Sequence, residues 1–165
     1  MPNLGKKISA HNRSVLQQPQ AKPTKTCNCR TPSSCPLSGE CLTDSVVYQA
    51  TVKSEGREET YIGLTGDQFK SRYRNHMASF RNSAKRNATE LSKHVWELKD
   101  KGAEFTLSWK IIARARMYAN TTKRCNLCLT EKFFIICRPQ LCILNRRNEL
   151  ASACQHATKY LLKNT

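Results

Sequence analysis

Tyr48, Tyr61, Arg72, His76 and Glu131 are the side chains of this sequence whose types and placement suit chemistry on a phosphodiester. Hydrolysis of that bond needs a positioned water, an acceptor for its proton, positive charge on the phosphoryl centre and help for the leaving oxygen. A guanidinium matches two phosphate oxygens and keeps its charge, which suits Arg72 to the phosphate. A phenol titrates near about 10, so Tyr48 or Tyr61 accepts a proton only with a cation nearby. On residue type alone both are equally core or edge aromatics. An imidazole titrates in the neutral range, so His76 is a candidate base or a positioning partner for a tyrosine, and equally a structural histidine. Glu131 sits in the apolar run Leu129-Thr130-Glu131-Lys132-Phe133-Phe134, where a carboxylate is costly to bury unless a cation or donor meets it. Magnesium or manganese accepts one carboxylate plus water and substrate oxygens. The bland alternative is a surface glutamate paired with Arg124 or Lys132.

The elements that must position these residues can be read from pattern. Val46 to Val52 and Thr60 to Leu64 are short β-branched and aromatic runs parted by a polar segment with Gly56, which predicts a β-hairpin. A helix over 67–80 follows, with Asp67 as its N-cap, and Phe69, Arg72, Tyr73 and His76 fall on one of its faces. A second helix starts near Ala88 with Leu91, Val95, Trp96 and Leu98 as its stripe, and stops before Gly102. Phe105 to Ile112 reads as a third strand. A helix opens at Cys125, runs through Leu129, Phe133, Ile136 and Cys137, and is closed by Pro139. Residues 141 to 145 give a short extended piece, and a last helix starts near Glu149.

The hairpin and first helix resemble the catalytic half of GIY-YIG endonucleases, most closely the form at the C-terminus of Penelope-like retroelement proteins. Tyr61-Ile62-Gly63 matches the second half-motif, while Val46-Val47-Tyr48 keeps only the tyrosine of the first. The resemblance spans about residues 27 to 160. It implies an α+β fold: a small, three-stranded, mostly antiparallel sheet flanked by helices. It also implies that one tyrosine orients or deprotonates the water, that Arg72 holds the scissile phosphate, and that Glu131 carries Mg2+ or Mn2+. The late asparagine that braces the site in that family matches Asn145. A reverse transcriptase upstream in the same polyprotein, a chromosomal DNA substrate and hence a nuclear location are further implications. One hydrolytic site per domain implies a nick in one strand; the rival reading is an inactive zinc-bearing module that tethers a reverse transcriptase. The whole reading requires the Glu131 carboxylate to share a groove with Tyr61 and Arg72.

Nine cysteines form the second chemical theme. The odd number leaves one sulfur over in any fully disulfide-bonded scheme, and the N-terminus carries no apolar leader core, so metal ligation is favoured over disulfides. Cys27, Cys29, Cys35 and Cys41 lie within fifteen residues, with Pro32, Pro36 and Gly39 between them to make tight turns around a tetrahedral zinc ion. The alternative is a loop of free thiols. Their proximity to the first strand predicts a structural clamp holding the preceding segment onto the hairpin edge. Cys125 and Cys128 form a second knuckle that Cys154 and His156 could complete, tying the glutamate helix to the C-terminal segment. Cys137 and Cys142 have apolar neighbours and read as buried thiols, though they rival the others as ligands. His94, beside Trp96, reads as a packing residue.

Twenty-eight Lys and Arg against twelve Asp and Glu leave a formal charge of +16, which favours a polyanionic partner, with DNA the natural candidate. Arg74, Arg81, Lys85, Arg86, Arg146 and Arg147 are the candidate phosphate contacts. No apolar run approaches the roughly 18 residues of a membrane span. The chain of 165 residues therefore divides into a flexible basic linker (1–26), a cysteine-rich knuckle (27–44) and one α+β domain (45–165).

Overall fold

The computed structural model describes residues 4–17, 25–115, 125–146, 150, 154 and 156. At its centre is a three-stranded antiparallel sheet of strands β1 (Val46–Ser54), β2 (Arg57–Thr65) and β3 (Phe105–Arg114), in the order β2-β1-β3. Among the described residues four α-helices accompany it: α1 (Leu4–Gln17), α2 (Phe69–Ser79), α3 (Glu90–Asp100) and α4 (Asn126–Cys137). No helix among the described residues is long and apolar enough to cross a membrane.

The hairpin strands run further than their apolar alternation does. Ser54 pairs with Arg57, so the turn is only Glu55-Gly56, both at positive φ (49° and 75°), a type I′ geometry whose twist matches the strands. The polar residues predicted as a long turn are strand, because the backbone ladder continues after side-chain burial ends.

Alternation along β1 divides the core in two. Val46, Tyr48, Ala50 and Val52 pack with Phe69, Leu91, Val95 and Trp109, which places α2 and α3 on one face of the sheet. Val47 joins Ile62, Leu127, Phe134 and Ile135 in a separate apolar cluster, which places α4 on the other. A bulge in the β1–β3 pairing between Val47 and Tyr48 adds a residue on β3 near this division.

Helix α2 begins differently from the sequence expectation. Its N-cap is Gln68, with no side-chain cap; Asp67 is not the cap. Instead the Phe69 and Lys70 amides donate to the carbonyl oxygens of Thr43 (2.8 Å) and Cys41 (2.8 Å), so the cysteine-rich segment satisfies two of the helix's orphan donors. Helix α3 starts at Glu90 behind Thr89, whose hydroxyl accepts from the Ser92 amide at 3.0 Å. The α2 and α3 helices are joined by Ser79 and Ser92, hydroxyl to hydroxyl at 2.6 Å, and by the Trp96 indole donating to the Ser79 carbonyl at 2.9 Å.

Residues 4–17 form α1 where a flexible linker was expected. Pro2 and Pro19 bracket this stretch and none falls inside it, so nothing breaks the local hydrogen-bond run. The predicted last helix from Glu149 lies outside the described residues, as do Arg124 and Arg147. The extended piece predicted over 141–145 is a 3₁₀ turn (Pro139–Leu141) followed by irregular chain.

Candidate functional site

Tyr48 and Tyr61 come from adjacent strands and point to the α2 face of the sheet, with Gly63 between them. A Cβ on Gly63 would come within 2.7 Å of the Tyr48 ring carbon Cζ and 3.0 Å of the Tyr61 ring, so only glycine lets both rings lie over this strand.

The Tyr48 hydroxyl is the junction of a buried network. Arg72 Nε donates to it at 3.1 Å, and His76 Nε2 lies 2.7 Å away. Arg72 can only donate, so the phenol oxygen accepts from it; the direction of the His76 contact follows from which ring nitrogen carries the proton. His76 is 2% exposed and boxed by aromatic rings: Phe80 at 6.0 Å, Trp109 at 5.3 Å and Tyr61 edge-on at 6.1 Å. Burial, and then the Arg72 charge, push its pKa down to about 3. The sequence-based view of His76 as a group titrating in the neutral range is therefore corrected: the ring is neutral in the folded protein and a poor base. Trp109 and Phe80, which create that environment, carried no functional signal in the sequence.

Arg72 is held by opposing influences. Burial disfavours its charge, but Tyr48, through charge and hydrogen bond, then Tyr61 and Glu131 outweigh this and raise its pKa above the ordinary value. Glu131 is the weakest of these influences, and its helix α4 packs on the opposite face of the sheet from α2. Within α4, Glu131 is one turn from Leu127 and Phe134, both in the apolar cluster against the sheet, and it is half-buried. The late asparagine braces the same strand from outside. Asn145 accepts from the Ile62 amide at 2.7 Å and donates to the Ile62 carbonyl at 2.8 Å, and the Leu144 amide donates to the Thr60 carbonyl at 2.9 Å. This satisfies the outer edge of β2 beside Tyr61.

Both predicted cysteine clusters assemble. The ligand atoms of Cys27, Cys29, Cys35 and Cys41 all lie within 4.8 Å of one another, as do those of Cys125, Cys128, Cys154 and His156. In the first, Cys41 Sγ is 3.5 Å from Cys27 Sγ and 4.0 Å from Cys29 Sγ, near the roughly 3.8 Å that two thiolates keep on tetrahedral zinc. Hydrogen bonding to Cys35 and Cys27 pushes the Cys29 thiol up to about 12. Burial opposes ionisation of Cys35, but backbone hydrogen bonds at Leu37 and Gly39 outweigh it and bring that thiol down to about 7. In the second cluster burial, then the neighbouring thiols, raise Cys128. Such crowding of thiols is resolved by a divalent cation, so each cluster could hold a metal ion such as zinc. The first cluster was expected to clamp onto the hairpin edge; it caps α2 instead. Cys142 is buried, with its Sγ toward the Arg138 carbonyl at 3.4 Å, but Cys137 is exposed, contrary to its expected burial.

The candidate phosphate contacts differ in their freedom. Arg74, Arg81 and Lys85 are exposed. Arg86 pairs with Asp100 at 2.6 Å and lies over the Trp96 ring, and Arg146 pairs with Glu90 at 3.0 Å. His94 meets Glu59 at 2.9 Å in a packing role.

No protein-family model matches this chain, and neither a curated protein nor a solved structure matches it.

Proposed function

We propose that this chain is a metal-dependent DNA endonuclease of the GIY-YIG type, nicking one strand by phosphodiester hydrolysis in support of retroelement insertion. The observation that carries this reading is Arg72, bonded to the buried Tyr48 hydroxyl beside Tyr61; the reading further requires the Glu131 carboxylate, on the helix of the other face, to reach the same groove. Its Nε is committed to Tyr48, which leaves the two Nη groups as a fork for phosphate oxygens. Arg72 is the cation that Tyr48 or Tyr61 needs in order to give up its own proton to solvent, so the proton of the attacking water would pass to a phenolate, with His76 orienting the Tyr48 hydroxyl group.

Glu131 offers one carboxylate, and Mg2+ or Mn2+ accepts one carboxylate plus water and substrate oxygens. When bound there, the ion would supply charge neutralisation and leaving-group stabilisation. Zinc belongs to the two cysteine clusters in a structural role. Arg74, Arg81 and Lys85 would track the phosphate backbone, with Arg86 and Arg146 joining only by exchanging their carboxylate partners. A reverse transcriptase upstream in the same polyprotein and a nuclear site of action complete the proposal.

The rival reading, an inactive zinc-bearing tether, is favoured by one feature: Tyr48 is 0% exposed. Supercoiled plasmid separates the two. The endonuclease converts it to open circles with magnesium or manganese, and Glu131→Ala stops the conversion while leaving DNA binding and zinc content in place. A tether binds with the same salt dependence and never nicks.

A further inference from the structure

Helix α4 lacks the pattern that normally fixes a helix's rotation. Leu127, Phe134 and Ile135 pack on the sheet, yet Leu129, Phe133 and Ile136 on the outer side are 44%, 52% and 62% exposed. A helix with apolar residues on both its packed and its exposed side gains little from one rotational setting over another, so its hydrophobic surface does not specify where Glu131 points. The second cysteine cluster supplies what the pattern lacks. Cys125 is the N-cap residue, without a side-chain cap bond, and Cys128 lies in the first turn. The remaining ligands arrive from a different part of the chain: His156 Nδ1 is 3.6 Å from Cys125 Sγ, 3.2 Å from Cys128 Sγ and 3.5 Å from Cys154 Sγ. These separations are close to the roughly 3.6 Å expected between sulfur and nitrogen on one tetrahedral zinc ion. Cys128 and Glu131 are three residues apart and so share a helix face.

We infer that Cys125, Cys128, Cys154 and His156 form a zinc centre that sets the rotation of α4 and thereby the direction in which the Glu131 carboxylate projects. The first centre does the corresponding work for α2, through the Thr43 and Cys41 carbonyls that receive the Phe69 and Lys70 amides. Each of the two helices carrying a charged member of the site is thus registered by its own metal. The inference rests on the proposed endonuclease for its functional consequence, but its structural content does not.

The test uses the full chain and Cys154→Ser, which removes an exposed ligand belonging to neither α2 nor α4. Native mass spectrometry is expected to count two zinc ions in the parent and one in the variant. Hydrogen exchange is expected to quicken in 126–137 and stay unchanged in 69–79. DNA affinity should hold while kcat for nicking falls by about tenfold or more, the size of effect seen when a supporting ligand is lost. A parent with one zinc, an unchanged zinc count in the variant, or unaltered exchange in 126–137 overturns the inference. Loss of protection in both helices overturns it too, since the centre would then hold the whole fold. If the parent never nicks, the endonuclease reading fails, and the zinc and exchange results still decide this one.

Discussion

Asn145 holds Ile62 by both of its backbone groups, taking the amide at 2.7 Å and giving to the carbonyl at 2.8 Å. A side-chain amide here imitates a fourth strand for a single residue, the one between Tyr61 and Gly63. Asn145→Ala would leave a donor and an acceptor on the sheet edge unpaired and cost about 1–3 kcal/mol. Asn145→Asp keeps the acceptor but sets an anionic oxygen against the Ile62 carbonyl, so it should do no better than alanine. Urea midpoints of the three proteins check this; an aspartate variant as stable as the parent would contradict the two-bond geometry.

Gly63 is constrained by space and not by backbone angle. The Tyr48 hydroxyl and ring and the Tyr61 ring occupy the volume a Cβ would need, and both side chains are buried. Gly63→Ala should therefore destabilise by about 1–3 kcal/mol, as overpacked cores do, and displace the Tyr48 hydroxyl from Arg72 and His76. A Gly63→Ala,Tyr48→Phe double variant should be more stable than Gly63→Ala alone, because the Tyr48 hydroxyl oxygen is the atom nearest the added Cβ, and less stable than the parent, because the ring carbon Cζ still lies 2.7 Å away. Thermal midpoints would reveal the order.

The strands and the candidate metal ligands were legible in the sequence because each has a local signature. Alternation marked Val46 to Val52, and spacing alone grouped the eight ligand residues into the two sets the fold assembles. The side of the sheet chosen by α4 was not legible. Nothing local encodes it, and the helix's apolar surround removes the usual clue; the same surround made Cys137 look buried when it is exposed. The capping of α2 escaped for a different reason. Its acceptors are the main-chain carbonyls of Thr43 and Cys41, which any residue possesses. His76 misled because its titration range depends on Phe80 and Trp109, and Trp109 reaches it only through the pairing of β3 with β1.

Arg72→Lys tests whether the guanidinium's shape matters beyond its charge. Lysine keeps one positive charge but cannot bond Tyr48 through Nε while presenting a fork to phosphate. Nicking by Arg72→Lys should fall by about a hundredfold, roughly 2.7 kcal/mol of lost transition-state binding, with the DNA dissociation constant changed far less. Single-turnover rates at saturating DNA report the first quantity and fluorescence anisotropy the second. Equal losses in both would make Arg72 an ordinary contact of the basic surface.

His76 gives the protein a definite acid response. Its folded pKa of about 3 lies below the ordinary 6.5, so between those values the unfolded chain holds a proton that the folded chain does not. Stability therefore rises with pH across this window and is lost as pH falls from 6.5 toward 3, by up to about 1.4 kcal/mol per pH unit. Above pH 6.5 the residue is neutral in both states and contributes no slope. Acid also releases zinc from the cysteine clusters, so the informative comparison is with His76→Gln, which keeps the clusters and removes the titration. The difference in urea midpoint between parent and variant should shift against the parent from pH 6.5 down to pH 4 and be flat from pH 7 to 8. In the same experiment, imidazole resonances of His76 should show no midpoint near 6.5. A midpoint there would mean that the ring is hydrated and the Tyr48 hydroxyl is not held as described.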